Sequence, residues 1–194
     1  MREVFRKFYG EFFGARNLYL GCGMDQEPSG SKEVWVNLDF NPKVCPDICH
    51  DLNNVPLPFP DNEFNCVFSC HCLEHLEKIK FVEVIAEIHR ILVPRGILVA
   101  ITPYGSADVA LGMPQHKQAF YEITWTSIDK RLYENKDQFG FQDDEGLPFR
   151  TWDTEKIVMI PFLEWEKDPA LTWKAKHLRN VISDLHAVMR AVKE

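Results

Sequence analysis

Four short apolar runs, each stopped by turn-forming or polar residues, constrain the fold of this chain more than any other feature of its sequence. Leu18-Tyr19-Leu20 halts at Gly21-Cys22-Gly23, Val34-Trp35-Val36-Asn37-Leu38 at Asp39, and Ile97 to Ile101 at Thr102-Pro103; a further run spans Phe64 to Ser69. Runs of this length, rich in branched and aromatic side chains, suit strands buried on both faces. Between the last two, Leu73, Leu76, Ile79, Val82, Ile85, Ile88 and Leu92 recur at steps of three and four. That spacing predicts a helix over residues 73–93, ended by Pro94-Arg95-Gly96. Strands alternating with helical segments need crossover connections, and crossovers give a mostly parallel sheet covered on both faces. The expected class is therefore α/β, doubly wound, with three α/β/α layers.

Outside this core the pattern weakens. Val4, Phe5, Phe8, Phe12 and Phe13 predict an amphipathic helix over residues 2–13, stopped by Gly14. Pro42, Pro46, Pro56, Pro58 and Pro60 exclude a helix through their stretch. Beyond residue 103 the expectation is a loop to about 118, a helix from Thr124 or Thr126 to Tyr133, and a loop from Asn135 to Pro148. A strand at Ile157–Ile160 and a last helix over residues 169–192, with Leu171, Leu178, Ile182, Leu185 and Val188 on one side, complete it. No linker divides the chain. Residues 1–194 are read as one domain, 14–103 its ligand-binding core and 104–194 its substrate-side loops and closing elements.

Charge and cysteine content narrow the partners. The 194 residues carry 22 Lys+Arg against 29 Asp+Glu, a formal net charge of −7. That balance argues against a protein held on nucleic acid or on an anionic membrane by net charge. No apolar run is long enough to span a bilayer. The first residues lack a secretory apolar core, so the expected location is cytoplasmic and the six cysteines are expected to be reduced thiols. They form no CxxC pair, which disfavours a structural zinc site of the common kind.

Gly21-x-Gly23 follows a strand, and Asp39 ends the next strand 18 residues beyond Gly21. Glycines let the backbone approach a ligand closely, and an acid at a strand tip can accept both hydroxyls of a ribose. A plain tight turn explains the glycines equally well, and Asp39 before Asn41-Pro42 could simply cap that turn. Gln26 stands where a dinucleotide fingerprint has its third glycine, which disfavours a pyrophosphate ligand and a nicotinamide-dependent oxidoreductase.

The segments Asn17 to Gly23, Val36 to Asp39, His50-Asp51-Leu52, Leu57 to Phe64, Leu73-Glu74-His75 and His89 to Gly96, in this order, resemble the class I S-adenosylmethionine-dependent methyltransferases. The likeness is strongest to the small methyltransferase type 11-like group and covers residues 17–103; Pro114-Gln115-His116-Lys117 followed by Phe120 is also similar to a segment of related small methyltransferases. The resemblance implies a seven-stranded, mostly parallel, Rossmann-like sheet and S-adenosyl-L-methionine as cofactor. It implies that Gly21, Cys22 and Gly23 lie under the amino-acid part of the cofactor, and that Asp39 binds the ribose with Phe40 against the adenine. Asp51 and Leu52 would sit at the adenine edge, and Ser69, Cys70 and His71 would border the reaction centre. Asp51 as a loop cap and Phe40 as plain core remain alternatives. Two positions depart from the family pattern: Asp25 replaces a third glycine, and Arg95 interrupts a Pro-Gly-Gly turn.

His71-Cys72-Leu73-Glu74-His75 matches HxxEH, an inverted zinc-peptidase signature. The match needs both histidines within one helix, whereas His71 falls at a strand end, so no metal is expected there. His75 is expected to be structural near the cofactor pocket, and His89, His177 and His186 to lie at the surface. His116, in the loop after the fifth strand, is a candidate for touching substrate; a solvated loop histidine is its alternative. No Asn/Asp-Pro-Pro-Tyr tetrapeptide follows the fourth strand; Ser69-Cys70-His71-Cys72 stands there instead. By family analogy this favours an oxygen acceptor on a sugar or another small polar metabolite, with His71 and His116 as candidate general bases. The aromatics from Phe120 to Trp165 are expected to be mostly core. The rival reading is a non-catalytic module that binds S-adenosylmethionine or S-adenosylhomocysteine and docks a partner.

Overall fold

A computed structural model describes residues 7–27, 33–129, 152–161, 166–171, 174, 179–180 and 182–193. Seven strands form one sheet: β1 (Arg16–Leu20), β2 (Val34–Asp39), β3 (Ile48–Cys49), β4 (Phe64–Cys70), β5 (Leu92–Pro103), β6 (Trp152–Pro161) and β7 (Ile182–Ala191). Their order across the sheet is β3-β2-β1-β4-β5-β7-β6. The first five pair in parallel, and β7 runs antiparallel to both β5 and β6. The sheet is thus mixed. Its order reverses between β1 and β4, and the carboxyl ends of strands beside such a reversal are where open α/β sheets bind ligands.

One helix does most of the covering on one face. α1 (Lys78–Ile91) buries Phe81, Val84, Ile85, Ile88 and Ile91, each side chain contributing about 1.5–3 kcal/mol on full burial. These pack with Leu18, Leu20, Phe64, Val67 and Leu98 from the strands. On the other face Tyr19, Trp35, Cys66, Phe68, Val99 and Val188 form a second cluster, against which Tyr9, Phe12 and Phe13 of the N-terminal segment are packed. Those segments supply the outer layers.

The helix expected over residues 73–93 is shorter. Leu73–His75 is a separate 3-10 turn, and α1 starts only at Lys78. At the other end the chain passes straight into β5, and Pro94-Arg95-Gly96 lies inside that strand. There Phe64 pairs with Leu92 and Cys66 with Ile97, so residues 93–96 bulge opposite Asn65; a bulge is where a strand tolerates proline. Arg95 takes a left-handed backbone, φ 64°, the conformation that a glycine would supply in the family's usual turn.

The N-terminal helix is seen from Lys7 to Tyr9 and closes as a 3-10 turn at Gly10–Phe12, before Gly14. Within the expected loop after residue 103 lies a short helix, α2 (Asp108–Gly112). α3 (Glu122–Thr126) begins before Thr124 because Tyr121 and Thr124 close a reciprocal cap. The expected loop from Asn135 to Pro148 and the end of the helix at Tyr133 lie outside the described residues.

The last helix is a strand over its final ten residues. β7 replaces the helix expected through residue 192. Ile182, Leu185 and Val188 follow a helical step, but Leu185, Ala187, Met189 and Ala191 face one core and Val188 the other. The step of two from Leu185 to Ala191 is present, but Ile182, Leu185 and Val188 fit a helical step as well, so periodicity alone does not separate strand from helix here.

An ion-pair network fixes the proline-rich segment to α1. The Arg90 guanidinium donates to Phe59 O (2.8 Å), Leu57 O (3.1 Å), Asp61 Oδ1 (2.8 Å) and both Glu87 oxygens (2.9 and 2.7 Å). Glu87 Oε2 in turn accepts from Leu57 N at 2.7 Å. Arg90, first among these partners, holds the Glu87 carboxyl below its ordinary range.

Candidate active site

At the carboxyl ends of β1, β2 and β4 a cleft of about 740 Å³ opens. Its first wall is the turn after β1. Gly21 and Gly23 both have positive φ, 64° and 51°. A side chain at Gly21 would collide with Cys72 Sγ at 2.4 Å, whereas at Gly23 nothing lies within 4 Å of the position a Cβ would take. The first glycine therefore lets the turn pass against the end of β4, and the second leaves the cleft floor open.

Asp39, at the tip of β2, is buried, and its carboxylate ties the two strand ends together. Oδ2 accepts from Gly23 N at 2.9 Å, and Oδ1 accepts from Asn41 N at 2.8 Å. The capping bond is thus present. A carboxylate offers about four lone-pair sites, so each oxygen retains one for a ligand hydroxyl. Phe40 is not core: it is 71% exposed and lines the cleft. Asp51 caps its own loop, with Oδ1 accepting from Asn53 N (2.9 Å) and Asn53 Nδ2 (2.8 Å), and also lines the cleft beside Leu52.

The opposite wall is the end of β4. His71 has φ 51°, a left-handed backbone that histidine adopts more readily than most residues and that is enriched at functional sites. Its ring lies between two carboxylates, Nδ1 at 3.5 Å from Glu74 Oε1 and Nε2 at 3.4 Å from Asp184 Oδ1. Glu74, ahead of the opposing effect of burial, raises the His71 pKa above the ordinary histidine value. The neighbouring thiols are suppressed. Burial pushes Cys22 up to about 11 and both Cys70 and Cys72 up to about 12. Near neutral pH these are protonated thiols and poor nucleophiles.

The structure thus brings Gly21, Gly23, Asp39, Phe40, Asp51, Leu52 and His71 to one cleft. Cys22 and Cys70 lie in the second core cluster, and Ser69 is buried in β4; none of the three lines the cleft. The cleft also takes in Leu38, His50, Asn53, Cys72, His75, Leu76, Gln115 and Lys117. His50 and Asn53 flank Asp51-Leu52 in sequence, a signal that neighbour position alone could have raised. Gln115 and Lys117 arrive from the loop after β5, in the Pro114–Lys117 segment that the sequence resemblance marks, though there His116 is the residue singled out.

His116 itself does not line the cleft. Its ring stands edge-on to that of His75, with centroids 4.9 Å apart. Two surface expectations are corrected. His89 bonds Val192 O through Nε2 at 3.1 Å and lies edge-on to Trp152. His186 is on β7 and hydrogen-bonds the Tyr9 hydroxyl; burial lowers its pKa to about 4. His177 lies outside the described residues. Of the late aromatics, Phe120, Trp125 and Trp152 are fully buried core and Tyr121 is 40% exposed. Among the described residues no helix is long and apolar enough to cross a membrane.

These features suit an adenosyl cofactor: a strand-end carboxylate with spare acceptors, a side-chain-free floor at Gly23, and apolar walls from Leu38, Phe40 and Leu52. The comparisons agree. Residues 15–100 match the family model described as Methyltransferase domain. A methyltransferase from Archaeoglobus fulgidus, described as dependent on S-adenosylmethionine, superposes with TM-score 0.63 at 16% identity, covering 98% of this chain and 94% of that one. The N-methyltransferase NodS from Bradyrhizobium japonicum, solved with S-adenosyl-L-homocysteine, gives 0.61 at 12% identity over 99% and 85%. The [4+2]-cyclase SpnF gives 0.61 at 14% identity over 99% and 80%. No curated protein matches the chain by sequence. The glycine turn, the strand-end acid and the sheet order converge with the comparisons: residues 15–100 match the methyltransferase domain, and the chain carries the fold of the S-adenosylmethionine-dependent methyltransferases it superposes on.

Proposed function

We propose that the protein methylates an oxygen of a small polar acceptor, such as a sugar or metabolite hydroxyl, with His71 as general base. The observation that carries this reading is the placement of the His71 ring, which lines the cleft while held between Glu74 and Asp184. S-adenosylmethionine, when bound, supplies a methyl carbon already activated by its sulfonium. The chain's own work is then alignment, worth about 7–11 kcal/mol when reacting atoms are well oriented, and removal of the acceptor proton.

His71 suits the second task. A hydroxyl that attacks the methyl carbon must lose its proton, and the imidazolium formed on His71 would be stabilised by the two carboxylates that already flank it. Asp39 would bind the ribose, Phe40 would lie against the adenine, and Asp51 and Leu52 would border its edge. Gly21, Cys22 and Gly23 would contribute backbone under the amino-acid end. Ser69 and Cys70 would act from behind the wall by holding His71 at the strand tip. A neighbouring groove of about 610 Å³ shares Lys117 with the cleft and runs past Tyr121, a path for the acceptor.

The test has two stages. Calorimetry should show S-adenosylmethionine and S-adenosylhomocysteine binding, lost in Asp39→Ala. Product analysis against panels of hydroxyl and amine acceptors should then show O-methylation that falls away in His71→Asn. Transfer to amines alone would overturn the oxygen assignment. Binding without turnover on any acceptor would turn the reading to a module that holds the cofactor and docks a partner.

A further inference from the structure

Buried carboxylates without partners are rare, because an ionised oxygen removed from water loses several kcal/mol unless something replaces its hydration. Glu74 is 1% exposed, and among the described residues neither of its carboxylate oxygens has a hydrogen-bond partner. Among them its ion-pair contact is the long one to His71. One donor atom from each of Glu74, His75 and His116 lies within 4.8 Å of the other two. From these three side chains we infer a binding site for a divalent transition cation of the zinc type, on the wall between the Leu73–His75 turn and the loop after β5.

The two imidazoles are prepared for it. His75 Nδ1 lies 3.1 Å from Gln115 O, and His116 Nδ1 lies 3.0 Å from Ala110 O. A carbonyl only accepts, so each Nδ1 carries the proton and each Nε2 keeps its lone pair. Backbone carbonyls orient metal-binding histidines in this way. The two segments are further tied by Lys117 N donating to Glu74 O (2.8 Å) and Gln118 Nε2 donating to Leu73 O (3.2 Å). The donors thus sit on a braced frame.

Two imidazoles and one carboxylate are a set that zinc accepts at about 2.0–2.2 Å per bond, with a fourth position open. Closing the present spacing to that geometry needs a contraction of about 1 Å or a little more, within reach of side-chain rotation. Because His75 also lines the cleft, the open position would face the acceptor side. The ligand set differs from the HxxEH pattern: His71 faces Glu74 and Asp184, and the second imidazole comes from His116, 41 residues beyond His75.

The inference does not rest on methyl transfer, and the experiment keeps the two apart. The full chain, freed of metal by chelator, is titrated with Zn²⁺ against a chromogenic competitor, and S-adenosylhomocysteine binding is measured on the same samples. One equivalent of Zn²⁺ is expected to bind, and Co²⁺ in its place should give the intense visible absorption of four-coordinate cobalt. His116→Ala, and Glu74→Gln as the gentler change, should weaken Zn²⁺ by at least the about 10–100-fold that loss of an outer hydrogen-bond partner costs a metal site. Both variants should retain S-adenosylhomocysteine binding as evidence of folding, and His71→Asn should leave Zn²⁺ affinity unchanged. No stoichiometric Zn²⁺ binding by the unaltered chain would overturn the inference, as would equal affinity in both ligand variants.

Discussion

The two halves of this molecule carry one sheet but obey different sequence logic. β1 to β5 pair with one another in parallel, and the longest described helix, α1, packs on one face. There the strands are short apolar runs stopped by turn residues, and α1 carries a helical period. From residue 104 onward the sheet is completed by β6 and β7, an antiparallel pair in which the later strand is inserted between β5 and β6. The first half places the candidate cofactor residues at the tips of β1, β2 and β4. The second contributes Asp184, from a segment expected to be helical, and Gln115 and Lys117, from the loop after β5, to the same cleft wall. One half of a site can thus be local in sequence while the other half is assembled only by the fold.

Four experiments test that contrast. The largest effect should come from the junction itself. If His71 is the base that Glu74 and Asp184 flank, His71→Asn lowers kcat on a hydroxyl acceptor by about 10²–10⁴-fold, the usual worth of general acid–base catalysis. The pH–rate profile gives the same answer with a sign. The folded His71 pKa is raised, so the neutral base grows in as pH rises through a value above 6.5, and the rate should climb there. A flat profile would remove the base.

Next comes the strand read as a helix. Leu185 is fully buried between the halves, and Leu185→Ala should cost about 2–5 kcal/mol in urea unfolding. A cost near zero would mean that β7 is not a central strand. The third test isolates the first half. Asp39→Ala removes a turn-holding acceptor and a ribose acceptor together, and each charge-assisted hydrogen bond is worth about 1.5–3 kcal/mol. Affinity for S-adenosylhomocysteine should fall about 10–100-fold by calorimetry, and the thermal unfolding midpoint should fall as well, because Gly23 N and Asn41 N lose their acceptor.

The smallest effect concerns His186, which links β7 to the N-terminal segment through Tyr9. Its folded pKa is lowered to about 4 by burial, against about 6.5 unfolded. Between those values the unfolded chain binds the extra proton, so stability should rise with pH from about 4 to about 6.5 and level off above. The rise should be about 2 kcal/mol, less than the full shift would give because the ring is only partly buried. His186→Phe should flatten it in chemical unfolding followed across that range.

Much of the lining of the candidate cleft is legible in the sequence. Gly21, Gly23, Asp39, Phe40 and His71 sit at or just past the end of an apolar run, where such a sheet collects ligands, and Asp51 and Leu52 are marked by the resemblance; all seven line the one cleft. Cys22, Ser69 and Cys70 show the limit of that reading. Strand residues alternate faces, so the tip of a strand indicates the neighbourhood of a site but not which side chains face it. Phe40 shows the reverse, an aromatic that composition would bury and that the fold leaves in the cleft.

The sequence alone located the strands β1, β2, β4 and β5, the apolar period of α1, and the strand ends that carry glycine, acid and histidine. Those features are local, set by backbone sterics and by the period of apolar side chains. Tertiary structure decided that residues 182–191 form a strand, that Asp184 reaches His71, and that His116 packs against His75 beside a buried Glu74. Each of these depends on contacts between residues far apart in the chain, and an apolar pattern that fits both a helical step and a step of two cannot supply them.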